Sequence, residues 1–598
     1  MSRISLRQLL GAAAASAFAL GLAGAGQAAD VTKQRLEAAD AEPQNWLTTY
    51  QNYSSHRFSR LSQVNRDNVK NLKVAFTVPL TLGLNGRPSV QLENPTFVDD
   101  GFMYVDDAGG TIYKLDVRPG NKFNWVWRAD ANVGKDQNTR SRGGAMWGNN
   151  YYHNLTDGRV VAVDRTTGEF VWDSQIARIA HPKGANLNLE RENFTAAPLA
   201  VDGKILVGQS NGDGGTNGWL AAVDAVTGKE LWRTYTVPGP GDPGHDTWKD
   251  DHNAWKTGGA ALWTTGSYDA EQKVTIWGAA QPVPMFDPEF RPGDNLYSNS
   301  AIAYDIDTGK IKWYFQYTPN ESWDYDEQGV HMLVDAPFQG SPRKMVVHFG
   351  RNGFYYQLDR TNGTFLTATQ YVEKTTWTAG IDPKTSKPIE YDPKLALQTY
   401  IPATRWARAD AGPKTSCPPL EGGVRWQPYA YNPNKRLAYL GGEDGCVTRQ
   451  IVAVVAGGPE GNIVDDAQKN PGGRTGGKPG SAVTAGLRGL NVITDVTTGQ
   501  IKTRAWMPHS NRSGMLATAG GLVFTAYIDG AVVALNDETL QELWRFETGI
   551  PIKAPVTSYA IGDKQFLAIT VGAPGPGGAV WPELKDMIPG AMLYVFAL

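Results

Sequence analysis

The stretch Glu321-Ser-Trp-Asp-Tyr-Asp-Glu-Gln-Gly329 places two carboxylates, Asp324 and Asp326, on alternate positions around a tyrosine. Alternate residues of an extended segment point the same way, so a strand end here aims both acids at one spot. Like charges aimed together repel unless a cation or a shared proton lies between them. Hard cations take oxygen donors, and a carboxylate beside such a cation can accept a proton from a bound hydroxyl. The chemistry expected is metal-assisted proton abstraction. The competing reading makes Asp326 a solvated turn acid.

Such a site needs a rigid frame, and the sequence repeats one. From Ala162 it reads "AVDRTTGEFVW", from Ala222 "AVDAVTGKELW" and from Ala303 "AYDIDTGKIKW". Weaker copies start at Gln357, Ile493 and Ala534, and an imperfect early copy at Lys114. Each is a hairpin: a strand ends at Asp, a short turn carries Gly, and the next strand ends in Trp. Further strand pairs lie upstream, as in "APLAVDGKILVGQS". Four strands per unit, repeated with one docking aromatic each, make β-propeller blades. The expected fold is therefore an all-β, eight-bladed β-propeller with tryptophan-docking repeats. Seven copies are visible, and an eighth blade is expected from the two chain ends. The alternative is a set of unrelated all-β domains.

Arg3 and Arg7, the apolar run "LLGAAAASAFALGLAGAG" and small residues before Asp30 read as a secretory signal over 1–28, cleaved after Ala28. The run is Ala/Gly-rich and short for a membrane span, and no later stretch is long enough. A soluble periplasmic protein is expected, with no membrane span. The 57 Lys+Arg nearly balance the 60 Asp+Glu, and no basic stripe is interleaved with aromatics, so nucleic acid is not an expected partner. Cys417 and Cys446 are the two cysteines. In an oxidising compartment they read as a structural disulfide rather than a metal or redox pair, and no C-x-x-C-H haem attachment exists.

The repeats, the segment "NWLTTYQNYSSHRFSRLSQVNRDNVKNL" and the "WDYD" element together resemble the pyrroloquinoline-quinone (PQQ)-dependent alcohol dehydrogenases, which include the methanol dehydrogenase large subunits. The similarity runs from about Asn45 to the C-terminus, so 29–598 is expected to be one dehydrogenase propeller. The resemblance implies PQQ and one metal ion in the central channel. Asp324 falls at the catalytic aspartate. Asp326 falls where the lanthanide-using branch has an extra carboxylate, so the metal is a lanthanide or calcium. Asp213, in "GQSNGDGG", stands where the family has a glutamate ligand, and Gln281, in "QPVP", where it has an asparagine. One has lost a methylene and the other gained one, a compensated pair. Trp263 matches the tryptophan on which the quinone stacks. Glu93, Arg142, Thr195, Ser210 and Arg351 match its polar contacts, and Cys417 and Cys446 match the family's structural bridge.

Two departures bear on substrate. Asp136-Gln137 stand where most of the family has adjacent cysteines in a ring above the quinone, and Arg425 stands at a common asparagine contact. Both alter the roof and rim of the pocket, so a bulky or secondary alcohol is expected. The implied partners are that alcohol and a separate cytochrome c or similar electron acceptor, with a homodimer open beside a monomer. Two other classes compete: a non-catalytic propeller scaffold of the outer-membrane assembly type, and a propeller hydrolase or lyase. The set Asp213, Gln281, Asp324, Asp326 and Trp263 argues against the first. The second lacks a Ser-His-Asp arrangement or His-rich metal spacing.

Overall fold

The computed structural model describes residues 28–80, 91–107, 109–133, 140–185, 188–410, 412–458, 463–464, 466, 468–573, 581–588 and 590–598. Apart from Ala28, the signal segment lies outside the described residues, as do Asp136 and Gln137. The described residues form eight sheets of four or five strands, beside one short α-helix, Lys33–Glu37, and several single 3-10 turns.

All seven repeat copies are hairpins. Trp219–Asp224 pairs with Glu230–Tyr235, for example, and Ser300–Asp305 with Ile311–Gln316. The aspartate at the turn works through its side chain: Asp224 Oδ1 accepts from the N–H groups of Val226 (3.1 Å) and Thr227 (2.7 Å). That is the local bonding that favours Asp in turns.

The Gly and Trp of the repeat belong together across neighbouring sheets. Trp172 Nε1 donates to the carbonyl of Ala225 (3.1 Å), Trp232 Nε1 to Ile306 (3.1 Å) and Trp313 Nε1 to Arg360 (3.2 Å). Each acceptor directly follows the turn aspartate of the next copy. The glycine of that next turn lies under the same indole. A Cβ on Gly309 would stand 2.4 Å from the Trp232 ring, and Gly309 has φ +70°. Glycine meets both demands, the left-handed backbone and the close approach. The periodicity thus encodes packing between sheets as well as hairpins. Removing the buried Trp313 indole would forfeit its packing and its hydrogen bond, a loss of about 3–5 kcal/mol, and the half-buried Trp172 and Trp232 would lose less.

The last tryptophan copy reaches back to the start of the fold. Trp544 Nε1 donates to Leu72 O (3.2 Å), and Lys73–Pro79 then pairs antiparallel with Met592–Ala597. Residues from opposite ends of the sequence share this sheet, as the repeat count predicts. Strands within each sheet are buried on both faces, as in Trp219–Asp224, while final strands such as Phe170–Gln175 face outward. Loops between strands carry the candidate site residues. They are cross-braced by single β-bridges, Leu92 with Ser141, Asn193 with Ser210 and Gly259 with Pro282.

Candidate active site

Asp324 and Asp326 do converge, but not by the strand geometry expected from their spacing. Residues 321–329 are a loop, and Asp324 has φ +70°, in the left-handed region that a non-glycine residue rarely adopts. A neighbouring side chain holds this turn. Glu321 is fully buried, and its Oε1 accepts from the N–H of Tyr325 (3.0 Å) and from the N–H of Trp323. Tyr325 is anchored in turn through its hydroxyl to Pro418 O (2.8 Å) and through its carbonyl to Asn299 Nδ2 (2.6 Å).

A cavity of ≈ 260 Å³ opens at this turn, and Asp213, Gln281, Asp324, Asp326, Trp263, Thr195, Ser210 and Arg425 all line it. The loop spanning 210–215 supplies Ser210 and Asp213, while Gln281 precedes the turn at Pro284. Gln281 Nε2 donates to Asp213 Oδ1 (2.6 Å), so the shortened acid and the lengthened amide reach each other. The Gln281 backbone N–H donates to Asp326 Oδ1 (2.8 Å). Arg351 bridges the two acids of the motif, pairing closely with Asp326 and more loosely with Asp324 Oδ2 (3.4 Å). Burial pushes the Asp324 carboxyl well above the usual carboxylate range; Arg351 opposes this, while Asp326, Asp213 and Glu321 reinforce it. Asp326 is also raised, first by burial.

The donors are hard oxygens, with carboxylates at Asp213, Asp324 and Asp326 and a carbonyl at Gln281. Gln281 Oε1 is buried without a hydrogen-bond partner. Such an orphan costs about 1–3 kcal/mol, and a cation among the three acids would satisfy it. Among the described residues no three His, Cys, Asp or Glu groups already stand in a metal-holding cluster. The fit is therefore one of donor chemistry, with Arg351 meanwhile neutralising part of the acid charge.

The remaining site residues form a cationic rim. Arg142 Nη1 donates to Thr195 Oγ1 (2.7 Å) and to Trp263 O (3.1 Å), and its guanidinium lies 4.6 Å from the Trp263 ring centre. Thr195 and Ser210 share a hydroxyl contact of 3.0 Å. Glu93 sits just behind, 2.8 Å from Arg142 Nη2. Burial pushes the Glu93 carboxyl up, but Arg142, Arg140, Lys553 and Arg425 outweigh it and hold it below the usual range. Arg425 pairs with Glu421 (2.7 Å). Glu421 is likewise pushed up by burial but drawn down to about 2 by Arg425, Arg512, Arg351 and Lys553.

Four residues here escaped the sequence reading: Glu321, Trp426, Arg512 and Lys553. Trp426 is flanked by Arg142, Arg425 and Lys553 at 5.4, 5.5 and 5.6 Å. Within the cavity the indole is that of Trp263, with Arg142 and Arg425 at 4.6 and 6.0 Å; an indole face edged by cations suits a flat polyanion, through stacking and charge-assisted hydrogen bonds. Cys417 and Cys446 are bonded, with a Cα separation of 4.3 Å.

A family model described as the PQQ glucose/ethanol/alcohol dehydrogenase beta-propeller domain matches residues 46–385. The chain belongs to the PQQ-dependent alcohol dehydrogenase family. The quinohemoprotein alcohol dehydrogenase of Comamonas testosteroni is 30% identical over 633 residues, covering 99% of this chain and 82% of the relative. Quinoprotein alcohol dehydrogenase PedH of Pseudomonas putida is 30% identical over 615 residues, covering 96% and 95%. A solved europium-containing methanol dehydrogenase aligns with a TM-score of 0.80 at 26% identity, covering 94% of this chain and all (100%) of that one. As a PQQ-dependent alcohol dehydrogenase the chain is an oxidoreductase with a propeller-type fold, which removes the scaffold and hydrolase readings. No helix among the described residues is long and apolar enough to cross a membrane.

Proposed function

We propose that this dehydrogenase oxidises its alcohol in the cavity bounded by Asp213, Gln281, Asp324 and Asp326, with Asp324 as the base. The buried, unpartnered Gln281 Oε1 beside the cavity carboxylates carries the reading, because an oxygen left without a donor among acids suits a hard cation. Asp213, Gln281, Asp324 and Asp326 would hold a lanthanide or calcium ion. Trp263 would support the PQQ ring, with Arg142, Thr195, Ser210, Arg351, Arg425 and Glu93 around its edge. When bound, PQQ supplies the acceptor for the alcohol's hydride, and the cation polarises its carbonyl.

The chain's own share is positioning and proton transfer. Asp324 takes the hydroxyl proton, and Arg351 steadies the resulting charge balance between Asp324 and Asp326. Buried surroundings and like charges raise the basicity of Asp324, bringing a carboxylate nearer to its task. The product is an aldehyde or ketone.

Several finer features belong to the same reading. The eight sheets are eight blades closed into one ring, and the unit runs over 29–598 after removal of 1–28. The protein works in the periplasm and passes electrons to a separate cytochrome. Asp136-Gln137 in place of a cysteine ring, with Arg425 on the rim, supports a bulky or secondary alcohol.

Asp324→Asn tests the assignment in protein reconstituted with PQQ and either ion. The amide cannot accept the proton, so kcat should fall about 10²–10⁴-fold, while quinone binding, read from the absorbance of the bound cofactor, stays. Turnover near the wild-type level would overturn Asp324 as base.

A further inference from the structure

The left-handed backbone at Asp324 needs a cause, and two buried side chains supply one. Glu321 Oε1 accepts the N–H groups on either side of Asp324, those of Trp323 and Tyr325, and so pins the turn that presents the acid to the cavity. Arg291, also fully buried, holds the turn from outside. Its Nη2 donates to Glu321 O (2.5 Å) and to Met285 O (3.0 Å), and its Nε donates to Pro284 O (2.8 Å). Its Nη1 completes the set on Asn295 Oδ1 (2.9 Å). One guanidinium therefore ties the segment following Gln281 to the segment carrying Asp324. Both segments line the cavity, and they meet where the Gln281 N–H donates to Asp326 Oδ1 (2.8 Å).

We propose that Glu321 is a positioning residue for Asp324, and that Arg291 sets the Glu321 turn in register with the Gln281 segment. The inference rests on the reading of Asp324 as base, but it makes a separate claim about backbone geometry. A carboxylate is not required for it. The two N–H bonds use Oε1, while Glu321 Oε2 is buried without a partner. An amide can keep the accepting oxygen and place its nitrogen where Oε2 now stands.

The test compares E321A with E321Q in the full-length protein, with and without PQQ and metal. Loss of the pin frees Asp324 to leave its strained conformation. A misplacement near 1 Å costs about 100-fold in rate, so E321A should lose kcat on that scale. KM and quinone affinity should stay near wild type, and E321Q should recover most of the activity. Amide hydrogen exchange of the peptide covering 322–326, measured on the protein without PQQ, should quicken in E321A and remain slow in E321Q. That second readout stands apart from catalysis. Faster exchange in E321A together with wild-type-like turnover in Asp324→Asn would defeat the assignment of Asp324 as base and leave the positioning claim intact. Unchanged exchange in E321A, or an E321Q as impaired as E321A, would overturn the positioning claim itself. If E321A fails to fold, a wild-type-like kcat and slow exchange in E321Q support the claim, and a collapse of both defeats it.

Discussion

Removing the disulfide, as C417A/C446A, separates what holds the fold from what holds the site. The bridge closes 29 residues. Loop closure of that length removes about 12 cal/mol/K from the unfolded chain, or about 3.6 kcal/mol at room temperature. In the folded protein the two cysteines already stand side by side, because Ser416 pairs with Val447 in the strand ladder. The bridge therefore acts chiefly on the unfolded state. Just beyond Cys417, Pro418 O accepts the Tyr325 hydroxyl (2.8 Å), and Leu420 O accepts Arg351 Nη2 (2.7 Å). Those bonds survive the substitution if the strand pairing survives. Urea unfolding followed by tryptophan fluorescence should show a loss of about 3–4 kcal/mol, while kcat of the loaded enzyme changes little. Wild-type protein after reduction should behave like the double variant. A loss below about 1 kcal/mol would refute the loop-closure reasoning and point to residual order in the unfolded chain. Intact stability with lost turnover would instead make the bridge a part of the site.

Other outcomes follow from the same geometry. Asp326→Ala removes one ligand charge and should depress lanthanide-supported activity far more than calcium-supported activity; equal losses in paired reconstitutions would leave Asp326 as a partner of Arg351 alone. Across an alcohol panel, secondary or alicyclic alcohols should give a higher kcat/KM than methanol, and a clear preference for methanol would refute the reading of the altered rim. Stability should also depend on pH through Glu321, whose carboxyl burial raises from 4.5 to about 7, with the N–H groups of Tyr325 and Trp323 and the Arg291 charge opposing. A raised carboxyl favours folding when protonated, so this contribution is present below about 4.5 and is lost as pH rises through about 7. The span corresponds to about 3 kcal/mol at about 1.4 kcal/mol per pKa unit. Wild-type urea midpoints should fall relative to those of E321Q as pH rises through that window and run parallel to them on either side of it.

The frame was legible because its rule is local. Asp, Gly and Trp recur at fixed spacing, and each has one task that its side chain reveals: capping the turn, turning left-handed, docking on the next copy. Asp213, Gln281, Asp324 and Asp326 could be singled out by resemblance because they sit in short ordered motifs, and the fold brings all four to one cavity. The geometry joining Asp324 to Asp326 was misread as a strand end, since alternation in sequence does not reveal a left-handed residue inside the pair. Glu321 left a faint signal, an acid three positions before Asp324, within reach of the N–H groups of Trp323 and Tyr325. Lys553, between Pro551 and Pro555, left none. It reaches Trp426 from a remote part of the sequence, and that proximity exists only after the sheets have assembled.

The sheet that unites Lys73–Pro79 with Met592–Ala597 imposes an order of events on synthesis. The early strand emerges with a bare edge and stays so until nearly all the rest of the protein has followed. Pairing across so long a stretch of chain is slow, and an unpaired edge invites the wrong neighbour. The strand carries its own safeguards for that wait, with an exposed Lys73 at one end and an exposed Pro79 at the other. Either residue discourages a stray strand from adding on. Replacing both with threonine would leave the finished protein nearly unaltered and lower the yield of protein that reaches it.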